Sequence, residues 1–343
     1  MVILVVKLGA IGDVLRTTFI LPGLKEKYPG CRIDWLTSKM SRDVLLNNSL
    51  IDRLLVWEDL VPTMKLPCLP AGRSVPFPSS YDLVIGLEDE KIICDFVGTI
   101  KSQQIVGAYS IKGQQTYTPS AWFDMSFISK YGLEMANELK KNNQKTYQQH
   151  LAELLGIKVS PYVFKLTQEE IAYGKKVVRE KGLGVRGRII GINTGAGKRW
   201  PLKSWGIEQT IELIKRLKNE LSLTSLILGG SEEQERNQLI SKATDQPDAG
   251  NHSLRHFASI INQCSAILSS DSLAMHFAIA LKKPLVVLFG PTSAAEIELY
   301  GLGEKLSAPL DCTVCYKKGC EIKPNCLETL SVETVLEAIR RLR

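Results

Sequence analysis

Residues 2–18, Val-Ile-Leu-Val-Val-Lys-Leu-Gly-Ala-Ile-Gly-Asp-Val-Leu-Arg-Thr-Thr, decide how this chain is read. Val2 to Val6 is an unbroken apolar, β-branched run, the pattern of a buried strand. Lys7 ends it, a Gly9-Ala10-Ile11-Gly12 turn follows, and Asp13 stands at the N-cap or in the first turn of the helix expected next. A glycine-bearing turn from strand to helix opens at the carboxyl edge of a sheet, where α/β proteins hold their ligands. The turn is not a dinucleotide fingerprint, because the third glycine is missing and Asp13 puts a carboxylate where a pyrophosphate would lie. That carboxylate repels an anion, yet it can take the proton of a neutral sugar hydroxyl. Helix capping alone would also account for an aspartate here.

The same grammar continues outward. Strand-like runs at Arg32–Leu36, Leu54–Trp57, Leu83–Gly86 and Gln104–Gly107 alternate with helical or loop segments, which predicts a parallel sheet with crossover helices. The alternation lapses in the polar stretch Tyr109–Gln149, although Tyr147, Leu151, Leu154 and Leu155 predict a helix within Asn142–Leu155. Pro62–Ser79, with prolines at 62, 67, 70, 76 and 78, reads as a long surface loop. Ser160-Pro161 and the mixed run to Thr167 read as a linker. From Arg188 the grammar restarts, with strand candidates Ile189–Ile192, Ser225–Leu228, Ala266–Ser269 and Leu285–Phe289. A chain of 343 residues suits two domains of about 150 residues each.

Composition excludes several classes. Hydrophobic content of 44% and charged content of 23% are those of a soluble globular protein. The lack of an apolar run of about 20 residues argues against a membrane span, and a start directly on a core strand predicts a protein that stays in the cytoplasm. The net charge of +7 is spread over short clusters such as Lys140-Lys141, Lys175-Lys176 and Lys317-Lys318, which read as solvated surface. Basic residues do not interleave with clustered aromatics, so no nucleic-acid partner is expected. A basic surface does suit anionic lipid head groups or phosphorylated glycans.

Four loops of the second half carry ligand chemistry. Asn193-Thr194-Gly195-Ala196-Gly197-Lys198-Arg199-Trp200-Pro201 follows a strand; its glycines let backbone N–H groups approach a phosphate, and Thr194 and Lys198 add a hydroxyl and a charge. The spacing is not that of a Walker A loop. Lys203-Ser204-Trp205 is expected to start the next helix, with Trp200 and Trp205 packed beneath the loop. Gly229-Gly230-Ser231-Glu232-Glu233 ends another strand, and a carboxylate there suits the hydroxyls of a ribose, or merely a helix dipole. Ser270-Asp271-Ser272-Leu273-Ala274-Met275-His276 opens a helix whose first amides suit an anion, with His276 on the same side; Asp271 could equally be a plain cap. Phe289-Gly290-Pro291-Thr292 ends a further strand. Four such loops at one sheet edge predict a nucleotide site.

Together, Lys7-Leu8-Gly9-Ala10-Ile11-Gly12-Asp13-Val14, Gly197-Lys198-Arg199-Trp200-Pro201 and Ser270-Asp271-Ser272-Leu273-Ala274-Met275-His276 resemble glycosyltransferase family 9, the ADP-heptose:lipopolysaccharide heptosyltransferases. Phe289-Gly290-Pro291-Thr292 and Tyr81-Asp82-Leu83-Val84-Ile85 are similar too, so the resemblance spans nearly the whole chain. It implies an α/β GT-B architecture, two Rossmann-like parallel-sheet domains facing across a cleft. The acceptor-side domain would cover 1–165, the nucleotide-sugar domain 166–330, and a helix over 331–343 would cross back to the first. It further implies an inverting, metal-independent transfer of heptose from ADP-L-glycero-β-D-manno-heptose, with no catalytic cofactor.

By that resemblance Asp13 matches the general base and Lys7 a residue near the sugar. Thr194, Gly197 and Lys198 match the donor-phosphate loop. Asp271, Ser272, Leu273 and His276 match the helix-start site for diphosphate and sugar, and Glu232 or Glu235 the ribose carboxylate. The implied acceptor is the lipopolysaccharide inner core, reached from the cytoplasmic face of the inner membrane. Tyr109–Gln149 and Pro62–Ser79 depart from inner-core enzymes, which leaves open a protein acceptor, as in the autotransporter heptosyltransferases, or another nucleotide sugar. A sugar-nucleotide epimerase of the same architecture would not need the Gly9–Asp13 turn. The remaining alternative is a non-catalytic nucleotide- or nucleic-acid-binding protein.

The cysteines divide in two. Cys31, Cys68, Cys94 and Cys264 are scattered, and the strand or helix contexts of most read as those of buried thiols. Cys312, Cys315, Cys320 and Cys326 fall within fifteen residues, and in a cytosolic protein that spacing favours a structural Zn or Fe site over reduced thiols or two disulfides. Lys317, Lys318 and Lys323 would offset the charge of four thiolates. The resemblance adds that similar cysteine clusters occur in family members, an iron-binding one among those that modify proteins.

Overall fold

The structure, a computed structural model, describes residues 1–60, 78–183 and 188–342. The chain divides into two compact units, Met1–Leu139 with Lys145–Phe164, and Lys140–Gln144 with Lys165–Arg343.

The first unit is built on β1 (Val2–Val6), β2 (Arg32–Thr37), β3 (Arg53–Val56), β4 (Tyr81–Gly86), β5 (Ser102–Ile111) and β6 (Gln114–Tyr117), in the order β3-β2-β1-β4-β5-β6. All neighbours are parallel except β5 and β6. Ile3 to Val6 are fully buried, as expected of a central parallel strand covered on both faces. After β1 the chain builds outward to β3, then returns on the other side of β1 with β4. That reversal is a topological switch point, and the crevice at the carboxyl ends of β1 and β4 is where such sheets hold ligands.

The strand–helix alternation does lapse over Tyr109–Gln149, giving way to an antiparallel hairpin and three successive helices, the second interrupted at Gly132. Strand β5 runs on to Ile111, Lys112 and Gly113 turn at φ 50° and 79°, and β6 returns antiparallel. Two positive φ values are what a two-residue type I′ hairpin requires. Helices Ala121–Ser126, Ile128–Asn142 and Tyr147–Leu155 follow. The last starts at Tyr147, not near Asn142, because Thr146 and Gln149 form a reciprocal capping box, and it stops at left-handed Gly156. The proline-rich loop up to residue 77, with Cys68, lies outside the described residues.

The second unit opens with helix Gln168–Glu180, again on a capping box, Thr167 with Glu170. Its sheet holds β7 (Ile189–Asn193), β8 (Thr224–Leu228), β9 (Ala266–Ser270), β10 (Leu285–Phe289) and β11 (Gly303–Ser307) in the order β11-β10-β9-β7-β8, all parallel. The switch point here falls between β7 and β9. The helix expected at Lys203 begins instead at Ile207, after a short turn at Pro201–Lys203 and with Gly206 as N-cap. Trp205 is buried in the core and its Nε1 donates to the Leu330 carbonyl at 3.1 Å, whereas Trp200 is half-buried under the Lys203 ammonium.

The last helix of the chain is Val332–Arg341. It buries Val332, Val335, Leu336 and Ile339 in the same core as Ile190, Leu213 and Leu288 of the second unit. Each such side chain contributes roughly 1.5–3 kcal/mol when buried, which suffices to hold the helix there.

Candidate functional site

In the first unit a single carboxylate shapes the loop after β1. Glu88, two residues beyond β4, accepts on Oε1 from the Lys7 ammonium (3.0 Å), the Leu8 amide (2.6 Å) and the Gly9 amide (3.1 Å). Lys7 also donates to the Leu87 carbonyl at 3.4 Å. Burial works against the charged lysine, but Glu88 and then Asp13 outweigh it, and the Lys7 pKa lies above its ordinary value. Replacing Glu88 with alanine strips one buried cation and two amides of their acceptor. The expected cost is about 3 kcal/mol, read as a lower urea midpoint; an alanine variant as stable as wild type would show that the loop holds itself.

Asp13 lies in the first turn of helix Ile11–Thr17, whose N-cap is Ala10, so it does not cap the helix. Its carboxylate favours the positive end of the helix dipole and pairs with Arg16 at 3.0 Å. The Asp13 side chain is 37% exposed and that of Arg16 only 9%, so the carboxylate reaches solvent with a buried cation behind it. Arg16 in turn lies over the rings of Tyr147 (4.1 Å) and Trp122 (5.5 Å).

In the second unit the loops after β7, β8 and β9 meet at the switch point. Gly197 takes φ +76°, a left-handed conformation that suits glycine, and a Cβ there would stand 2.8 Å from Glu232. The Gly197 amide donates to Glu233 Oε1 at 2.9 Å, and the Lys198 amide to Glu232 Oε2 at 2.6 Å. Glu233 Oε2 also accepts from the Gly230 amide at 2.9 Å, so one side chain ties the two glycine loops together. These amides are therefore aimed at anionic oxygens. The expected phosphate-side hydroxyl of Thr194 is buried and donates to Asn237 Oδ1 at 2.5 Å. Glu235 is exposed.

The loop after β9 holds the other expected residues. Asn193 Nδ2 reaches Ser272 Oγ at 3.2 Å, joining the ends of β7 and β9. Ser272 is the N-cap of helix Leu273–Ala280, and His276, in its next turn, is buried. Asp271 is met by the Lys203 ammonium at 2.7 Å. Burial pushes its carboxyl pKa up, but Lys203, with His276 and Thr292, overrides this and holds it down to about 2.

Arg16, Glu88, Lys203, Glu233 and Asn237 thus join the expected residues. Arg16 sits in the opening stretch 2–18 and Glu233 in the quoted Gly229–Glu233 loop. Lys203 and Glu88 are marked by no more than a charge near the end of a strand–turn unit.

The cysteine expectation is corrected. Cys31, Cys94 and Cys264 are buried free thiols, as expected, and burial pushes Cys264 up to about 12. Among the described residues, Cys312, Cys315, Cys320 and Cys326 form no disulfide. Burial, with smaller contributions from the other three, raises Cys326 to about 11, so the four share a neighbourhood. Even so, among the described residues no three Cys, His, Asp or Glu side chains are grouped so that they could hold a metal ion. Cys326 is instead turned into the core, where a Cβ on Gly290 would meet its Sγ at 2.4 Å. The arrangement does not fit the Zn or Fe site that the spacing suggests.

Comparison with known proteins bears on these loops. The family described as glycosyltransferase family 9 (heptosyltransferase) matches residues 130–325. Lipopolysaccharide heptosyltransferase 1 of Salmonella typhimurium is 23% identical over 311 residues, 87% of this chain and 91% of that protein. Lipopolysaccharide heptosyltransferase 2 of the same organism is 32% identical, but over 109 residues and 30% of either chain. A glycosyltransferase family 9 structure from Veillonella parvula superposes with a TM-score of 0.75 at 20% identity, covering 99% of this chain and 96% of that one. An E. coli heptosyltransferase solved with ADP-2-deoxy-2-fluoro heptose gives 0.58 at 18% identity, covering 99% of each chain. The structural likenesses carry the fold, that of the GT-B class.

Proposed function

This chain belongs to glycosyltransferase family 9, the heptosyltransferase family, and from that premise we propose that it transfers heptose from ADP-heptose to an acceptor hydroxyl of the lipopolysaccharide inner core, with inversion and without a metal. The observation that carries the reading is a pair of features on one chain. The first sheet presents an exposed carboxylate, Asp13, at its switch point, and the second presents the Gly197 and Lys198 amides to anions at its own.

In this reading the first unit serves the acceptor and the second the donor. Asp13 takes the acceptor proton as that oxygen bonds to the anomeric carbon, while the bond from that carbon to the diphosphate breaks on the opposite face and ADP leaves. A carboxylate suffices as base because the oxygen becomes acidic late, as it attacks an oxocarbenium-like centre. Lys198, the Gly197 amide and the helix start at Ser272 and Leu273 offset the charge gathering on ADP. Thr194 lines the phosphate side, Asp271 and His276 orient the diphosphate and sugar, and Lys7 lies near the sugar. Glu232 would exchange the Lys198 amide for the ribose hydroxyls. A net charge of +7 suits work at an anionic membrane face from the cytoplasm; no described helix is long and apolar enough to cross a membrane.

The test is incubation with ADP-heptose and a panel of heptose-free core glycans and candidate proteins, following ADP release, product mass and anomeric configuration. A heptose increment on a glycan with inverted configuration is expected. An increment on a protein would overturn the acceptor assignment, and turnover with another nucleotide sugar but not ADP-heptose would overturn the donor.

A further inference from the structure

Both ends of Asp13 are tied, through different bonds, to one aromatic residue. On the side-chain side, Arg16 approaches Asp13 Oδ1 at 3.0 Å and rests 4.1 Å from the centre of the Tyr147 ring. On the backbone side, the Tyr147 hydroxyl is 2.7 Å from Thr17 Oγ1, which donates to the Asp13 carbonyl at 2.6 Å. Tyr147 is itself fixed as the first residue of its helix, edge-on to Trp122 at 4.7 Å and Phe19 at 6.2 Å. Trp122 covers Arg16 from a second side at 5.5 Å. A guanidinium stacks flat on aromatic faces and offers a planar fork to a carboxylate, which a lysine ammonium cannot do at once.

We propose that Arg16, carried on the Tyr147–Trp122 pair, is the positioning residue for Asp13: it sets the direction of the carboxylate and keeps it ionised and ready to take a proton. The inference rests on the reading of Asp13 as the base. Among the described residues, titratable groups that face Asp13 include Lys7 from the end of β1, Arg16 from its own helix, Tyr147 from the helix Tyr147–Leu155, and Tyr162 from the segment beyond it. Glu88 faces Lys7, at 3.0 Å. Arg16 is the cation paired with Asp13 at salt-bridge distance, and an adjacent opposite charge favours the ionised carboxylate.

The experiment compares wild type with Arg16→Lys and Arg16→Gln. Both variants are checked by thermal melt and ADP-heptose binding, then by kcat, acceptor KM and the pH dependence of kcat/KM. Arg16→Gln should lower kcat by about thirty-fold and move the acid limb up by about one pH unit, with donor affinity unchanged. Arg16→Lys, which keeps the charge and loses the fork, should restore the acid limb but not the full kcat. Wild-type kcat and acid limb in both variants, with only a lower melting temperature, would overturn the proposal. A second readout does not need turnover: the 13C resonance of the Asp13 carboxyl is titrated in wild type and in Arg16→Gln. A higher midpoint in the variant supports the link and an equal one overturns it, even if wild type transfers no sugar and the catalytic reading has failed.

Discussion

With Asp13 as the proposed base, Asp13→Asn is expected to lower kcat by about three orders of magnitude and to leave ADP-heptose binding intact. Asparagine keeps the size of the side chain and an oxygen for Arg16, but it cannot take up a proton at neutral pH. The acceptor hydroxyl must then lose its proton to water, and most of the general-base contribution disappears. Binding of the donor should persist because the residues assigned to it, Gly197, Lys198, Asp271 and Ser272, belong to the other compact unit. Asp13→Ala is the poorer probe, since it also leaves the 9%-exposed Arg16 without its carboxylate. That adds a stability cost unrelated to catalysis. Single-turnover rates, with donor binding measured separately, separate the two effects. An asparagine variant with wild-type kcat would remove Asp13 from the chemistry and leave it as a first-turn dipole partner.

What could be read from the chain and what could not follows from where each signal is stored. Strands β1 and β10 are continuous apolar runs, and β7 and β9 turn polar only at Asn193 and at Ser269-Ser270, because all four are central in their sheets and buried on both faces, so burial writes them directly into composition. Strands β6 and β11 are edge strands, Gln-Gln-Thr-Tyr and Gly-Glu-Lys-Leu-Ser, only partly buried and held by pairing with a neighbour. No local pattern announces them. Asp13 was legible because strand, turn and helix are adjacent in sequence. Glu88 and Lys203 were not, because their partners Lys7 and Asp271 lie 81 and 68 residues away and meet them only after the sheets form. The cysteine spacing shows which thiols are near in sequence, but burial decided that Cys326 fills space against Gly290.

Lys203→Met is expected to destabilise the protein by about 3 kcal/mol at neutral pH, with a loss that shrinks in acid. The two side chains of the Lys203–Asp271 pair are 13% and 18% exposed, so removing the ammonium leaves a carboxylate poorly solvated and uncompensated. In wild type the Asp271 pKa is held below its ordinary 3.8, at about 2. A depressed carboxylate contributes stability that is present above the unfolded value. The contribution, about 2 kcal/mol, is lost as pH falls from about 4 to about 2. Without Lys203, burial is the largest remaining influence and pushes the same carboxyl upward. Protonation then relieves the variant where it weakens wild type, so the stability gap between them must close between neutral pH and pH values of about 3. Urea unfolding of both proteins across that range reads the gap, and a constant gap would mean that Lys203 acts by packing on Trp200 instead. The pairing also explains how an aspartate can stand at the start of helix Leu273–Ala280 and leave that end available to a diphosphate. With the donor diphosphate placed at this helix end as proposed, Lys203 cancels a charge that would repel it, so Lys203→Met should weaken ADP binding as well as the fold, whereas a pure packing role would leave ADP affinity untouched.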